Sequence, residues 1–130
     1  MTGTTKCVFC DRITTGKLTA AAELAVAFPD AFPVSPGHTL IAPRRHEPDY
    51  FALTEAEQSA MWSLVPEVRR ILDTEHGVQG YNLGINVGTA AGQTVPHAHL
   101  HVIPRYSGDS KDPRGGVRWV LPTRAPYWDR

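Results

Sequence analysis

The stretch His97-Ala98-His99-Leu100-His101-Val102-Ile103, led by Gly92-Gln93-Thr94-Val95-Pro96, decides how the rest of the chain is read. Three of the six histidines alternate there with apolar residues. Alternation at period two predicts a strand over residues 97–104, with all three imidazoles on one face. A solvated strand face carries Thr, Lys or Glu, and a packed one carries aliphatics. Three neutral heterocycles in a row serve neither purpose well, so the row points to chemistry. At a rise of about 3.3 Å per residue, His97 and His101 lie roughly 13 Å apart. All three therefore cannot reach one metal ion at bonds of about 2 Å. The histidines must divide their labour. Adjacent members can serve a metal, while a neutral imidazole with an ordinary pKa near 6.5 is a competent nucleophile or acid–base group near pH 7.

Working outward, residues 81–87 read as a strand, joined to the histidine strand by a glycine-containing loop over residues 88–96. Before them lies the longest helical pattern. Thr54-Glu55-Ala56-Glu57 predicts a capping box. Met61, Leu64, Val65, Val68, Ile71 and Leu72 then follow helical spacing along one buried stripe. Pro66 removes a backbone donor inside this pattern and predicts a kink. Gly77 after His76 predicts a glycine C-cap. Further back, residues 20–28 read as a strand through Leu24, Val26 and Phe28, Pro29-Asp30 as a turn, and residues 38–42 as an apolar strand closed by Pro43, together an antiparallel hairpin. Residues 7–14 predict a short helical turn stopped by Gly16, and residues 1–6 a disordered start. Residues 117–121 predict a last strand in a polar tail that ends on Tyr127-Trp128. The fold class expected is α+β: an antiparallel sheet of about five strands with one long and one short helix. It forms a single domain over residues 1–130, with a core at about 7–106 and a tail at 107–130.

The totals exclude several classes. Lys plus Arg (13) balances Asp plus Glu (13), so no global field draws a polyanion, and nucleic acid is discounted as a partner. No apolar run approaches the roughly 20 residues of a membrane span, and no apolar leader opens the chain. The two cysteines form C-x-x-C in Cys7-Val8-Phe9-Cys10. In a chain without a leader this favours a reduced, cytoplasmic setting and use in metal or redox chemistry over a structural disulfide. A thioredoxin-like pair is disfavoured because no βαβ pattern surrounds it.

H-x-H-x-H followed by two apolar residues and preceded by G-Q-T resembles the histidine triad (HIT) superfamily of nucleotide hydrolases and transferases. The resemblance extends, in the family's order, through Cys7-Val8-Phe9-Cys10, Phe28-Pro29-Asp30, Pro36-Gly37-His38-Thr39-Leu40-Ile41, Asn86 and residues 92–105. It implies that His99 attacks the α-phosphorus of a nucleotide, that His101 bonds near the phosphate or leaving group, and that His38 supports the triad from a neighbouring strand. Gln93 and Thr94 match the phosphate-contacting loop, and Asn86 matches an amide near the scissile phosphate. Asp30 matches the ribose-binding carboxylate, and Phe9, Phe28 and Ala31 the lining of the base pocket. Each has a plainer reading: an ordinary loop, an Asn bonded to its own backbone, a turn aspartate, core aromatics. Some bacterial-type relatives also carry zinc at positions matching Cys7, Cys10, His46 and His97, a four-ligand and hence structural set.

The implied function is hydrolysis or transfer at the α-phosphate of adenosine 5′-phosphoryl compounds, through a covalent nucleotidyl-His99. Gln93-Thr94 and Arg105 lean toward dinucleoside polyphosphates; an AMP phosphoramidate hydrolase is the alternative. A non-catalytic nucleotide-binding module, or a zinc-stabilised scaffold with an incidental triad, is the rival of another class. The expected partners are a purine nucleotide and, as in most relatives, a second copy of the chain joined through an exposed sheet edge.

Overall fold

The computed structural model describes residues 7–128. The reading of residues 1–6 lies outside the described residues. The sheet has five strands: β1 (Ala20–Ala21), β2 (Ala25–Pro29), β3 (Thr39–Pro43), β4 (Gly80–Ile85) and β5 (Leu100–Arg105). They are ordered β1-β2-β3-β5-β4, with every neighbouring pair antiparallel. The last strand made thus inserts between β3 and β4. Its register sets His101 opposite Leu40 on one side and opposite Gly84 on the other.

Both sheet faces are covered, so burial along β2 does not alternate. Ala25 and Ala27 join Ile41, Leu100 and Val102 in a core under the central helices, with Met61, Val68 and Leu72. Val26 and Phe28 join Leu40 and Ala42 in a second core against Phe9 of the first helix. The expected strand over residues 20–28 is corrected to two strands. Ala22 donates to Ala25 O at 2.8 Å and closes a tight turn between them, with Leu24 in the turn.

The short helix α1 (Val8–Thr15) is capped by the Cys7 sulfur, which accepts from the Cys10 N–H, and it ends at Gly16. The long helix divides into α2 (Glu55–Ser63) and α3 (Val65–Glu75), broken at Leu64. Pro66 sits in the first turn of α3, where its missing N–H costs nothing. The capping box forms as read: Thr54 Oγ1 accepts from Glu57 N–H, and Glu57 accepts from Thr54 N–H. The glycine cap does not form, because His76 ends α3 in an extended conformation and Gly77 is not among the glycines with positive φ.

Two other readings are corrected. Residues 97–99 precede the regular strand, because their bonds go elsewhere: Ala98 N–H donates to Glu47 O and His97 N–H to Val95 O. Residues 117–121 form no strand. Gly116–Val120 is a 3₁₀ helix entered through Gly115 and Gly116, at φ 91° and 46°, a turn that a strand cannot contain.

Candidate functional site

The three triad imidazoles do lie on one side of the sheet, in a chain of ring contacts. His99 packs edge-on to His101 at 5.0 Å between centroids, and Phe9 of α1 packs against both His99 (4.8 Å) and His97 (6.1 Å). His97 and His99 are almost wholly buried, and His38 joins them at 3% exposure.

Each ring's tautomer follows from the backbone around it. His99 Nδ1 lies 2.8 Å from His97 O, an acceptor, so Nδ1 carries the proton and Nε2 keeps its lone pair. His38 Nδ1 accepts from the Val34 N–H at 3.1 Å, so the His38 proton sits on Nε2. That N–H donates to His101 Nδ1 at 2.9 Å, which leaves His101 with its proton on Nε2. The site therefore holds one imidazole lone pair and one imidazole N–H as neighbours, both neutral. Asp30 Oδ2 stands 3.4 Å from His38 Nε2, and Asp30 Oδ1 accepts from the Phe32 N–H at 2.8 Å. Burial lowers the pKa of His99 and His38 below the usual histidine range, against a raising effect from Asp30. Burial, with His99 and His38 adjacent, pushes His101 down to about 4.

A cavity of about 600 Å³ opens onto these groups. His99, His101 and His38 border it together with Asp30, Phe9, Asn86 and Thr94, while Ala31 and Val34 add apolar surface. Two candidates stand apart from the opening. Phe28 is fully buried and backs Phe9, edge to face at 5.4 Å. Gln93 spends its amide inside the loop: Oε1 accepts from Gly88 N–H, and Nε2 donates to Pro48 O and Val95 O. Several lining residues escaped the sequence reading, the charged Arg12 among them. Arg12 on α1 borders the cavity, donates to Pro29 O at 2.8 Å, and stacks 5.0 Å over the Phe28 ring. Its signal was available only as a position one helical turn beyond Phe9.

A second cluster lies behind the triad's first member. Cys7 Sγ and Cys10 Sγ each stand 3.5 Å from His97 Nδ1, and Cys10 Sγ stands 3.4 Å from His46 Nδ1. Bonds of about 2.3 Å to sulfur and 2.1 Å to nitrogen make the sulfur–nitrogen edge of a tetrahedron about 3.6 Å, so these four atoms are spaced as metal ligands. The lone pair needed at His97 Nδ1 is secured because Nε2–H donates to Pro43 O at 2.8 Å. His46 is placed by its neighbour: Arg45 makes a bidentate pair with Glu57 at 2.8 and 2.9 Å, tying the segment to the start of α2. Those bonds, with that from Thr54, hold the Glu57 carboxyl at about 2. Cys7, Cys10, His46 and His97 can thus bind a metal.

The HIT domain model matches residues 13–108, which contain the whole triad and its loop. The chain belongs to the HIT family. An uncharacterised HIT-like protein of Mycoplasma genitalium is 39% identical over 107 residues, 79% of this chain and 75% of its own length. The bifunctional bis(5′-adenosyl)-triphosphatase/adenylylsulfatase of Arabidopsis thaliana is 40% identical over 89 residues, 68% of this chain and 49% of its own. The asymmetrical bis(5′-nucleosyl)-tetraphosphatase of Schizosaccharomyces pombe is 38% identical over 87 residues, 67% and 48%. The chain spans about half the length of these two enzymes. Among solved structures, a HIT family protein of Bacillus anthracis has a TM-score of 0.72 at 41% identity, covering 80% of this chain and 76% of that one. A zinc-bound histidine triad protein of Mycobacterium smegmatis has a TM-score of 0.73 at 32% identity, covering 82% and 80%.

Proposed function

We propose that this HIT protein hydrolyses adenosine 5′-phosphoryl compounds, dinucleoside polyphosphates first among them, through a nucleotidyl-His99 intermediate. The observation that carries the reading is the pairing of opposite tautomers: a lone pair on His99 Nε2 beside an N–H on His101 Nε2. His99 Nε2 attacks the α-phosphorus. The P–N bond forms as the P–O bond to the leaving phosphate breaks, and the bond electrons leave with that oxygen. Water then attacks the same phosphorus and gives up a proton to solvent, the P–N bond breaks, AMP departs and the His99 lone pair returns. His101 Nε2–H and the loop at Thr94 donate to the phosphoryl oxygens as charge builds there, and Asn86 adds an uncharged amide donor. Gln93 acts by holding the loop in shape. Asp30 takes the ribose hydroxyls, and Phe9, with Phe28 behind it, lines the base pocket.

The metal set is assigned to zinc, in keeping with its Cys₂His₂ donors and the zinc-bound relative. Zinc there supplies structure, since four protein ligands leave no open position, and it keeps both thiols ionised. The protein works as a homodimer in a reducing, cytoplasmic setting. In support, β4 lies at the sheet edge beside an apolar groove that includes Val65, Tyr81 and Leu83. Among the described residues no helix is long and apolar enough to cross a membrane.

The test is a rate comparison over diadenosine polyphosphates and AMP phosphoramidates, with acid quenching to trap nucleotidyl-histidine. Faster phosphoramidate cleavage favours the alternative enzyme; no turnover on either panel leaves a binding module.

A further inference from the structure

A second cavity, of about 580 Å³, stands beside the first and shares Thr94 with it. The loop over residues 86–96 is the wall between them. Asn86, Gly92 and Val95 border the triad cavity, while Val87, Gln93 and Pro96 border the second. The crest of that wall is exposed, and Gly88 and Gly92 cross it at φ 89° and 93°. The far side is the segment Pro48, Asp49 and Phe51.

This second cavity repeats the local chemistry of the first. In the triad cavity Asp30-Ala31-Phe32 forms a turn in which Asp30 Oδ1 accepts the Phe32 N–H at 2.8 Å. In the second, Asp49-Tyr50-Phe51 forms the same turn, with Asp49 Oδ1 accepting the Phe51 N–H at 2.9 Å. Both phenylalanines are held out of the core, at 87% and 74% exposure. Among the described residues no hydrogen bond reaches Asp49 Oδ2. The second cavity is also braced before any ligand arrives. The Gln93 amide bonds its two walls together, through Gly88 N on one side and Pro48 O on the other. Behind Phe51, Tyr50 packs edge-on at 5.6 Å and is itself held by the Trp62 indole N–H.

We propose that this cavity is a second nucleoside subsite, which takes the leaving nucleotide of a dinucleoside polyphosphate. Phe51 offers a face for the base to stack on, Asp49 a carboxylate for ribose hydroxyls, and the polyphosphate crosses the exposed crest at Thr94. The proposal rests on the hydrolase reading above and deepens it. One cavity suffices for an AMP ester or phosphoramidate with a small leaving group, whereas two matched cavities on either side of one loop suit a substrate with two nucleosides.

Phe51→Ala is the test, with diadenosine tetraphosphate and the p-nitrophenyl ester of AMP as substrates, and with the same variant in a His99→Asn background for equilibrium binding. We expect KM and Kd for the dinucleotide to rise about ten-fold, and those for the ester to change by less than about two-fold. Equal losses on both compounds, or no loss on either, overturn the subsite. The two readings fail separately. If wild type turns over neither compound while Phe51→Ala still weakens dinucleotide binding alone, the subsite stands and the hydrolase reading falls. If turnover depends on His99 but Phe51→Ala does not separate the compounds, the reverse holds.

Discussion

His97 and His99 are two residues apart, both buried and both beside Ala98, yet they face the world through opposite nitrogens. His97 gives Nε2–H to Pro43 O and turns its Nδ1 lone pair to two sulfurs. His99 gives Nδ1–H to His97 O and keeps its lone pair on Nε2. One carbonyl each, contributed by the backbone, separates a candidate metal ligand from a candidate nucleophile. Identical side chains acquire different chemistry through the acceptor that their other nitrogen finds.

The comparison breaks most sharply at His99. His99→Ala should lower kcat by at least about 10³-fold, with nucleotide affinity and metal content little changed. Single-turnover kinetics and metal analysis on the same preparation check both halves. Loss of metal together with activity would merge the two clusters into one. Next in size is the other half. Cys10→Ser or chelation should remove about one equivalent of zinc and about 3 kcal/mol of stability, lowering Tm by roughly 10 °C. Activity should decline only afterward, as the segment before β5 loosens. Activity that vanished at once with Tm intact would make the metal catalytic.

A smaller effect comes from the half-buried His101, which faces His99, His38 and Asp30. Its folded pKa of about 4 lies below an unfolded value near 6.5. Between those values the unfolded chain binds a proton that the folded chain does not. This stability is therefore complete above about pH 6.5 and is lost as pH falls toward 4. Melts from pH 7.5 to 5 should show a loss to which His101 adds roughly 1–2 kcal/mol, and His101→Asn should remove that share. A pH-independent Tm over that range contradicts the neutral tautomer chain. Smallest is Asp30→Asn, which can retain the turn bond to Phe32. It should raise KM for ribonucleotides about five-fold and leave 2′-deoxy analogues nearly unaffected. Equal effects on both sugars return Asp30 to a turn role.

Much of this was legible because it is local. The capping box at Thr54 and Glu57, the helix break just before Pro66, the stop at Gly16 and the common face of the triad are each written within a few residues of the chain. What escaped is long-range. The alanines of β2 fit under helices on one face while Val26 and Phe28 fill the other, and no alternation marks a strand covered on both sides. The end of the regular strand at Leu100 depends on Glu47 O, half a chain away. The 3₁₀ turn at residues 116–120 follows from two glycines whose backbone freedom outweighs the β-propensity of Val117 and Val120. At the site, the residue types named from sequence still lacked tautomers, because those are set by Pro43 O, His97 O and Val34 N–H, backbone groups that carry no side-chain signature.

The order of the strands also sets a timetable for synthesis. Cys10 and His97 are separated by 87 residues, and β5 enters the sheet between β3 and β4. At about 5–20 residues per second, a growing chain carries its thiols for roughly 4–17 s before the ligand that completes their set is made. During that interval β4 has no strand to pair with, and α1, eight residues long, is too short to persist alone. One late segment, residues 97–105, then closes the sheet, the thiol cluster and the triad cavity together. A ribosome-bound chain halted before His97 therefore holds reactive, alkylatable cysteines, and one halted after residue 105 has left the exit tunnel shields them.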